Sequence, residues 1–449
     1  HATESAAFGG TVTGATYDHA KVVARKNKVV NTLVSGVGAT MSANKVTVIT
    51  GEAVITGRAD EGFAVQANGT TYIGRRLAIA SGSETVVPPV PGLKEGLAAG
   101  FVVTNREVLD MKELPKELVV IGGGVIGLEM ASYFNSIGTE VTVIEMLNKI
   151  AGPTEAEISG ILQKSLEKKG VIFNLGAKVV AIEKDGVVYE KDGKTEKIVS
   201  EKILLSIGRR AVTQGIGLEN IGVNLDRGAI VTDDMMKTNV ANVYAVGDVN
   251  GKIMLAHTAY REAEVAVNHM LGIEDSMEYN AIPGVVYTNP EVAAVGITEE
   301  QAANAGVEYK LHKLPMTYSG RFVAENEGMT GLCKVLVSAD GKVLGVHMLG
   351  NSSSEFICAA CMAITNGLTV TDSRVTGDGR RVYSVNYYPE DPDYEPKTTD
   401  DRYGESKLAE FAYRHYTEVD DETAAYLNPL VEWLGEFPST VAIEWVAAY

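Results

Sequence analysis

The chain has 449 residues and a formal net charge of −18, from 40 Lys plus Arg against 58 Asp plus Glu, a length that implies roughly two to four domains. The acidity excludes a nucleic-acid partner and general membrane-surface binding, which both need a basic face. Three cysteines, Cys333, Cys358 and Cys361, cannot build a disulfide scaffold and point to a reducing cytoplasm. No stretch of about 18 apolar residues exists to span a bilayer, and the first residues carry no basic-then-apolar signal. His1 is an unusual first residue and leaves room for an upstream segment.

Residues 20–41 place Val22, Val23, Val29, Val30, Leu33, Val34 and Val37 at helical spacing and predict one long helix. Residues 45–49, 52–55, 63–66, 71–73 and 76–79 read as strands, a small antiparallel sheet returning to a buried strand. That strand runs into Ala80-Ser81-Gly82-Ser83 and then the loop Val87-Pro88-Pro89-Val90-Pro91-Gly92, an ordinary strand-to-loop turn on composition alone.

Residues 118–146 hold a complete βαβ unit. A buried strand at 118–121 enters Gly122-Gly123-Gly124-Val125-Ile126-Gly127, a helix follows, and a β-branched strand at 141–144 ends on Glu145. Gly122 permits the tight turn, Gly124 lets backbone approach a pyrophosphate, and Gly127 lets helix and sheet pack closely. The phosphates belong at the helix N-terminus, where free N–H groups and the macrodipole favour negative charge. Glu145 can accept from both adenosine ribose hydroxyls and would repel a 2′-phosphate, which predicts NAD over NADP.

Residues 154–169 form an amphipathic helix with Ile158, Ile161, Leu162 and Leu166 on one side. Strands at 171–175, 177–183, 187–190 and 197–199 are joined partly by Asp-Gly turns, and a buried strand at 202–206 ends at Ile207-Gly208-Arg209-Arg210. An apolar strand at 243–246 then delivers Gly247, which permits close backbone approach, and Asp248, whose carboxylate can accept from a hydroxyl. Met254-Leu255-Ala256-His257 opens a helix through Met270; His257 reads equally as a chemical group or as a helix-start histidine satisfied locally.

Residues 284–296 open a further domain, with a helix at 299–305, strands at 309–315, 331–337 and 343–349, and a helix at 354–366. Cys358 and Cys361 lie on that last helix. No thioredoxin-like strand precedes them and their neighbours are small or apolar, so buried structural thiols are expected. From residue 371 to 449 the chain turns acidic and tyrosine-rich and holds Trp433 and Trp445, with a linker at 389–399 and helices expected at 407–416, 421–434 and 439–448.

The order of long helix, meander, Ala-Ser-Gly-Ser turn, proline loop, βαβ unit and Val-Gly-Asp segment resembles the flavoprotein pyridine nucleotide-disulfide oxidoreductases, and among them the dihydrolipoamide dehydrogenase branch. The resemblance runs from about 1 to 370. It implies an α/β fold with FAD/NAD-linked reductase architecture: Rossmann-like nucleotide domains and an α+β dimerisation domain. The divisions expected are 1–110 and 233–280 for the FAD domain, 111–232 for the NAD domain, 281–370 for the interface and 371–449 for a tail of unknown role. The resemblance implies NAD contacts from Gly122, Gly123, Gly124, Val125, Ile126, Gly127, Leu128 and Glu129, with Glu145, Val179 and Gly208. Glu129, one turn into the helix, could reach the nicotinamide carboxamide. It implies FAD contacts from Ala53 at the adenine, Ser81, Gly82, Asp248, Met254, Leu255, Ala256 and His257.

The implied function passes electrons between a dithiol, FAD and NAD in a homodimer, with a small-molecule or lipoyl-domain dithiol as substrate and a 2-oxo acid dehydrogenase or glycine cleavage complex as partner. The family's Cys-x4-Cys pair and a first Gly-x-Gly-x-x-Gly would lie before His1, and its His-Pro-Thr segment does not occur here. No catalytic residue and no metal ligand is therefore assigned, and these residues alone are not expected to turn over dihydrolipoamide. Two alternatives stay open: another disulfide reductase such as mercuric or glutathione reductase, and a truncated or fused non-catalytic scaffold that binds NAD and dimerises.

Overall fold

The computed structural model describes residues 9–14, 16–326, 328–375 and 381–386. Two compact units divide at Asn289 and Pro290.

The first unit opens with α1 (His19–Ala43), capped by the Asp18 carboxylate, which accepts from Lys21 N at 3.2 Å. Among its residues only His19 and Val23 are buried. Its apolar stripe faces outward, Leu33 being 66% and Val34 64% exposed. Residues 45–49, expected as a strand, are irregular, and Val46, Val48 and Ile49 are exposed. Alternating apolar residues favour a strand only where a neighbour pairs its backbone, and none of the strand pairings involves this segment.

The meander follows as β1 (Ala53–Ala59), β2 (Gly62–Ala67) and β3 (Thr70–Gly74), paired in that order. β4 (Leu77–Ile79) and β5 (Ser83–Thr85) flank the Ala80 to Gly82 turn. The short α2 (Leu93–Ala98), β6 (Val102–Val103) and α3 (Asn105–Asp110) lead into the nucleotide unit. α3 was not evident in the sequence; it is fixed by a capping box between Thr104 and Glu107.

β7 (Glu117–Ile121), α4 (Val125–Ser136), β8 (Glu140–Glu145), α5 (Ala156–Lys168) and β9 (Ile172–Leu175) form successive parallel crossovers. An excursion through β10 (Lys178–Glu183), β11 (Gly186–Lys191) and β12 (Lys194–Val199) makes a separate antiparallel sheet before β13 (Lys202–Leu205) returns to the parallel one. The parallel order is β6-β13-β7-β8-β9. Leu118, Val119 and Val120 are buried, as expected of a strand covered on both faces. The ligand crevice of such a sheet lies beyond the carboxyl ends of its strands.

β14 (Arg209–Ala211) pairs antiparallel with β5, and β15 (Leu225–Asp226) with β16 (Ala229–Ile230). β17 (Val243–Ala245) runs parallel to β4, with Ala245 opposite Ile79. A core of Ile55, Phe63, Ile79, Leu218, Val243, Ala245 and Val249 joins the meander to this return. α6 (Ala256–Leu271) and the short β18 (Gly284–Val286) complete the unit.

In the second unit β19 (Val292–Gly296), α7 (Glu299–Ala305), β20 (Lys310–Pro315), α8 (Gly320–Glu325), β21 (Leu332–Val337), β22 (Val343–Leu349) and α9 (Ser353–Thr365) follow in order. The strands align antiparallel as β19-β22-β21-β20, with α9 packed on β19 and β22. Lys334, almost fully buried, pairs with the Glu299 carboxylate at the start of α7. β23 (Thr369–Val375) pairs with β24 (Arg381–Asn386), a hairpin the sequence reading did not foresee. The linker at 389–399 and the helices expected beyond it lie outside the described residues.

Candidate functional site

A cleft of about 670 Å³ opens at the carboxyl ends of β7, β8 and β13. Of the residues expected to touch NAD, it brings Gly122, Gly124, Val125, Ile126, Glu145, Val179 and Gly208 to its wall. The turn depends on glycine: Gly122 has φ +102°, and a Cβ there would lie 2.3 Å from Ser206 O. Gly127 is set by packing, since its Cβ would lie 2.3 Å from Gly122 O. Gly124 borders open space, with nothing within 4 Å of a Cβ.

Glu145 is held at the rim by two backbone donors. Gly123 N donates to its Oε2 at 2.6 Å and Leu147 N to its Oε1 at 2.7 Å. Each charge-assisted bond fixes the carboxylate beside the start of α4, where leading N–H groups lack helical acceptors. A negatively polarised ribose edge and a positively polarised helix end in one cleft match a dinucleotide's adenosine and pyrophosphate.

Other predicted contacts lie elsewhere. Leu128 is fully buried in the core. The Glu129 carboxylate is half-buried and accepts from Tyr287 N at 2.9 Å; burial raises its pKa above the ordinary value, and that hydrogen bond opposes the rise. Neither residue lines the cleft.

Two of the predicted flavin segments, the Ser81 to Gly82 turn and Asp248, are brought together by strand pairing. Because β4 and β17 are parallel neighbours, the turns after Ile79 and Val246 emerge side by side, Val246 N donating to Ile79 O at 3.0 Å. Ser81 Oγ donates to Val212 O at 2.6 Å. Ser83 Oγ donates to the Asp248 carboxylate and accepts from Arg209 Nε at 2.7 Å. Arg209 also donates from Nη2 to Ser83 O at 2.7 Å, and its Nε lies 4.0 Å from Asp248 Oδ2. Asp248 remains a quarter exposed, so one face of the carboxylate is open to a hydroxyl donor. A second cleft of about 840 Å³ contains Met254, Arg209, Thr213, Asn250 and Lys252. Arg209 borders both clefts.

Leu255 caps α6 and Ala256 begins it. His257 is exposed, with Nε2 2.8 Å from Pro283 O, the local satisfaction considered for a helix-start histidine. Ala53 starts β1 and is exposed.

Sequence reasoning missed Glu262, which is 0% exposed on α6. Its Oε2 accepts from Gly247 N at 2.6 Å and Asn250 Nδ2 at 2.9 Å, and its Oε1 accepts from Tyr279 OH at 2.8 Å. This carboxylate fixes the turn that presents Asp248. The signal was a charged residue at helical spacing among Thr258, Val265 and Ala266, the buried face of α6. Ser83 and Arg209 were also missed as partners of Asp248, because their pairing depends on a strand contact between distant segments.

In the second unit Cys358 is exposed and Cys361 half-buried, against the expected pair of buried thiols. α9 buries Ser353, Ile357 and Ala363 instead, and Cys358 lies on the opposite side. Cys333 is also intermediate in exposure, and desolvation of its thiol pushes its pKa up to about 12.

A family model described as pyridine nucleotide-disulphide oxidoreductase matches residues 4–263, and that family's dimerisation domain matches residues 282–376. The dihydrolipoyl dehydrogenase of Mycoplasma genitalium is 34% identical over 370 residues, covering 81% of this chain and 79% of that protein. The mitochondrial dihydrolipoyl dehydrogenase of Pisum sativum is 36% identical over 365 residues, 79% of this chain and 72% of that protein. The solved structure of the HOCl-induced flavoprotein disulfide reductase RclA from Escherichia coli has a TM-score of 0.70 and 28% identity, covering 78% of this chain and 80% of its own.

Proposed function

Because this chain belongs to the pyridine nucleotide-disulphide oxidoreductase family, whose cofactors are FAD and NAD(P), we propose that it exchanges electrons between NAD and a dithiol, as a dihydrolipoyl dehydrogenase does. It is an oxidoreductase of α/β architecture, its dimerisation domain supports a homodimer, and among the described residues no helix is long and apolar enough to cross a membrane.

The observation that carries the choice of NAD is Glu145, seated by Gly123 and Leu147 amides beside the N-terminus of α4. The leading amides of α4 hold the pyrophosphate. The Glu145 carboxylate accepts from the adenosine ribose hydroxyls and repels a 2′-phosphate. Val179 and Gly208 border the same cleft. Bound flavin supplies the hydride chemistry. Asp248, held by Ser83 and Arg209, accepts from the ribityl chain, with the Ser81 to Gly82 turn and the Met254 to His257 segment beside it.

The reading assigns 1–110 and 233–280 to the flavin domain, 111–232 to the NAD domain and 281–370 to the interface. It places the enzyme in a cytoplasm, serving a lipoyl-bearing partner such as a 2-oxo acid dehydrogenase or glycine cleavage complex.

The test is the visible spectrum of the purified protein during anaerobic titration with NADH and NADPH. A flavin band bleached at lower NADH than NADPH supports the reading. A colourless protein that binds neither nucleotide, or one bleached equally by both, overturns it.

A further inference from the structure

α9 carries three soft donors on one side. Cys361 lies three positions after Cys358 and Met362 four, the two spacings that bring side chains together on a helix. Cys358 is exposed, Cys361 is half-buried, and Met362 is 65% exposed. Burial raises the pKa of the Cys361 thiol, and the nearby Cys358 adds to that rise. Ser353, Ile357 and Ala363 form the buried face of the helix; Cys361 borders that face, and Cys358 and Met362 stand clear of it.

We propose that Cys358, Cys361 and Met362 form a binding site for a thiophilic metal ion, with Cu(I) as the cation it fits best.

The Cβ atoms of residues three apart on a helix lie about 5–6 Å from each other. A metal–thiolate bond is about 2.3 Å, so two such bonds to one ion span a distance the paired side chains reach by rotation about χ1. Thiolate and thioether ligands together select Cu(I) over hard divalent cations. The acidic side chain nearest in the helix repeat is Glu355, a single carboxylate, too few oxygens for calcium or magnesium. Binding forms two thiolate–Cu bonds and one thioether–Cu bond and releases two thiol protons to solvent; the ion keeps its oxidation state. Cys333, on β21 in another element, takes no part. The site lies outside both nucleotide clefts and stands or falls independently of the proposed activity.

The test is anaerobic titration of the full chain with Cu(I) buffered by bicinchoninate, monitored by the ultraviolet thiolate-to-metal charge-transfer band and by metal analysis after gel filtration. One ion per chain is expected, retained in Cys333→Ser, lost in the Cys358→Ser/Cys361→Ser double variant, and weakened about tenfold in Met362→Leu. The circular dichroism of each variant checks its fold. Copper retained by the double variant, or absent from the wild-type chain, overturns the proposal. One ion per two chains also overturns it, replacing a single-helix site by one in which two copies share an ion.

Discussion

At Gly122 the backbone sits at φ +102° with Ser206 O closing the space a side chain would need. Gly122→Ala is therefore expected to lose about 1–3 kcal/mol from backbone conformation alone, with a further loss from the clash, read as a lower urea midpoint and as loss of NADH binding. Glu129 tests burial without a clash. Its carboxyl is raised above the ordinary value of 4.5 by desolvation, so between that value and the raised one the folded state binds more protons than the unfolded. Stability then falls as pH rises through that window, and the deficit persists above it. Glu129→Gln keeps an oxygen for Tyr287 N but has no charge to bury. Its stability relative to wild type, followed by urea denaturation, is expected to rise as pH climbs above the ordinary value of 4.5; a constant difference would refute this. Gly122 and Glu145 were legible in the sequence because their roles follow from position within one short motif. Glu262 was not, because its partners Gly247, Asn250 and Tyr279 meet it only after α6 has docked.

Elements with a strong period were legible almost to their ends. The helix expected at 20–41 spans His19–Ala43, and the strand expected at 343–349 is Val343–Leu349. Periodicity reports which face is apolar, not what covers it. The stripe on α1 is exposed, and so is Cys358 on α9, whose small neighbours suggested an interior place. Short elements were missed where local capping, as at Thr104, does the work of a long apolar pattern. With only His19 and Val23 buried, α1 has little tertiary packing to hold it closed. Its amides beyond the second turn are expected to exchange with deuterium well before those of α4, whose Gly127, Leu128, Ala131 and Phe134 are buried. Equal protection of the two helices by mass spectrometry would contradict this.

At the scale of the molecule, the parallel sheet sets one cleft at its carboxyl edge while the β4 and β17 pair sets the flavin turns, and sequence motifs marked both. The wall they share was invisible in the sequence, since Arg209 reaches it through a β5 to β14 pairing between segments more than a hundred residues apart. Because this one guanidinium borders the cleft that holds Glu145 and also holds Ser83, the partner of Asp248, occupancy of the proposed NAD site changes the surroundings it presents to the proposed flavin site. The two cofactors are then thermodynamically linked, and whatever factor flavin exerts on NADH affinity, NADH must exert on flavin affinity. Calorimetric titrations of NADH into flavin-loaded and flavin-free protein are expected to differ by at least about fivefold, with the ratio falling toward one in Arg209→Gln. An Arg209→Gln ratio equal to that of the wild type would place the linkage in some other part of the wall.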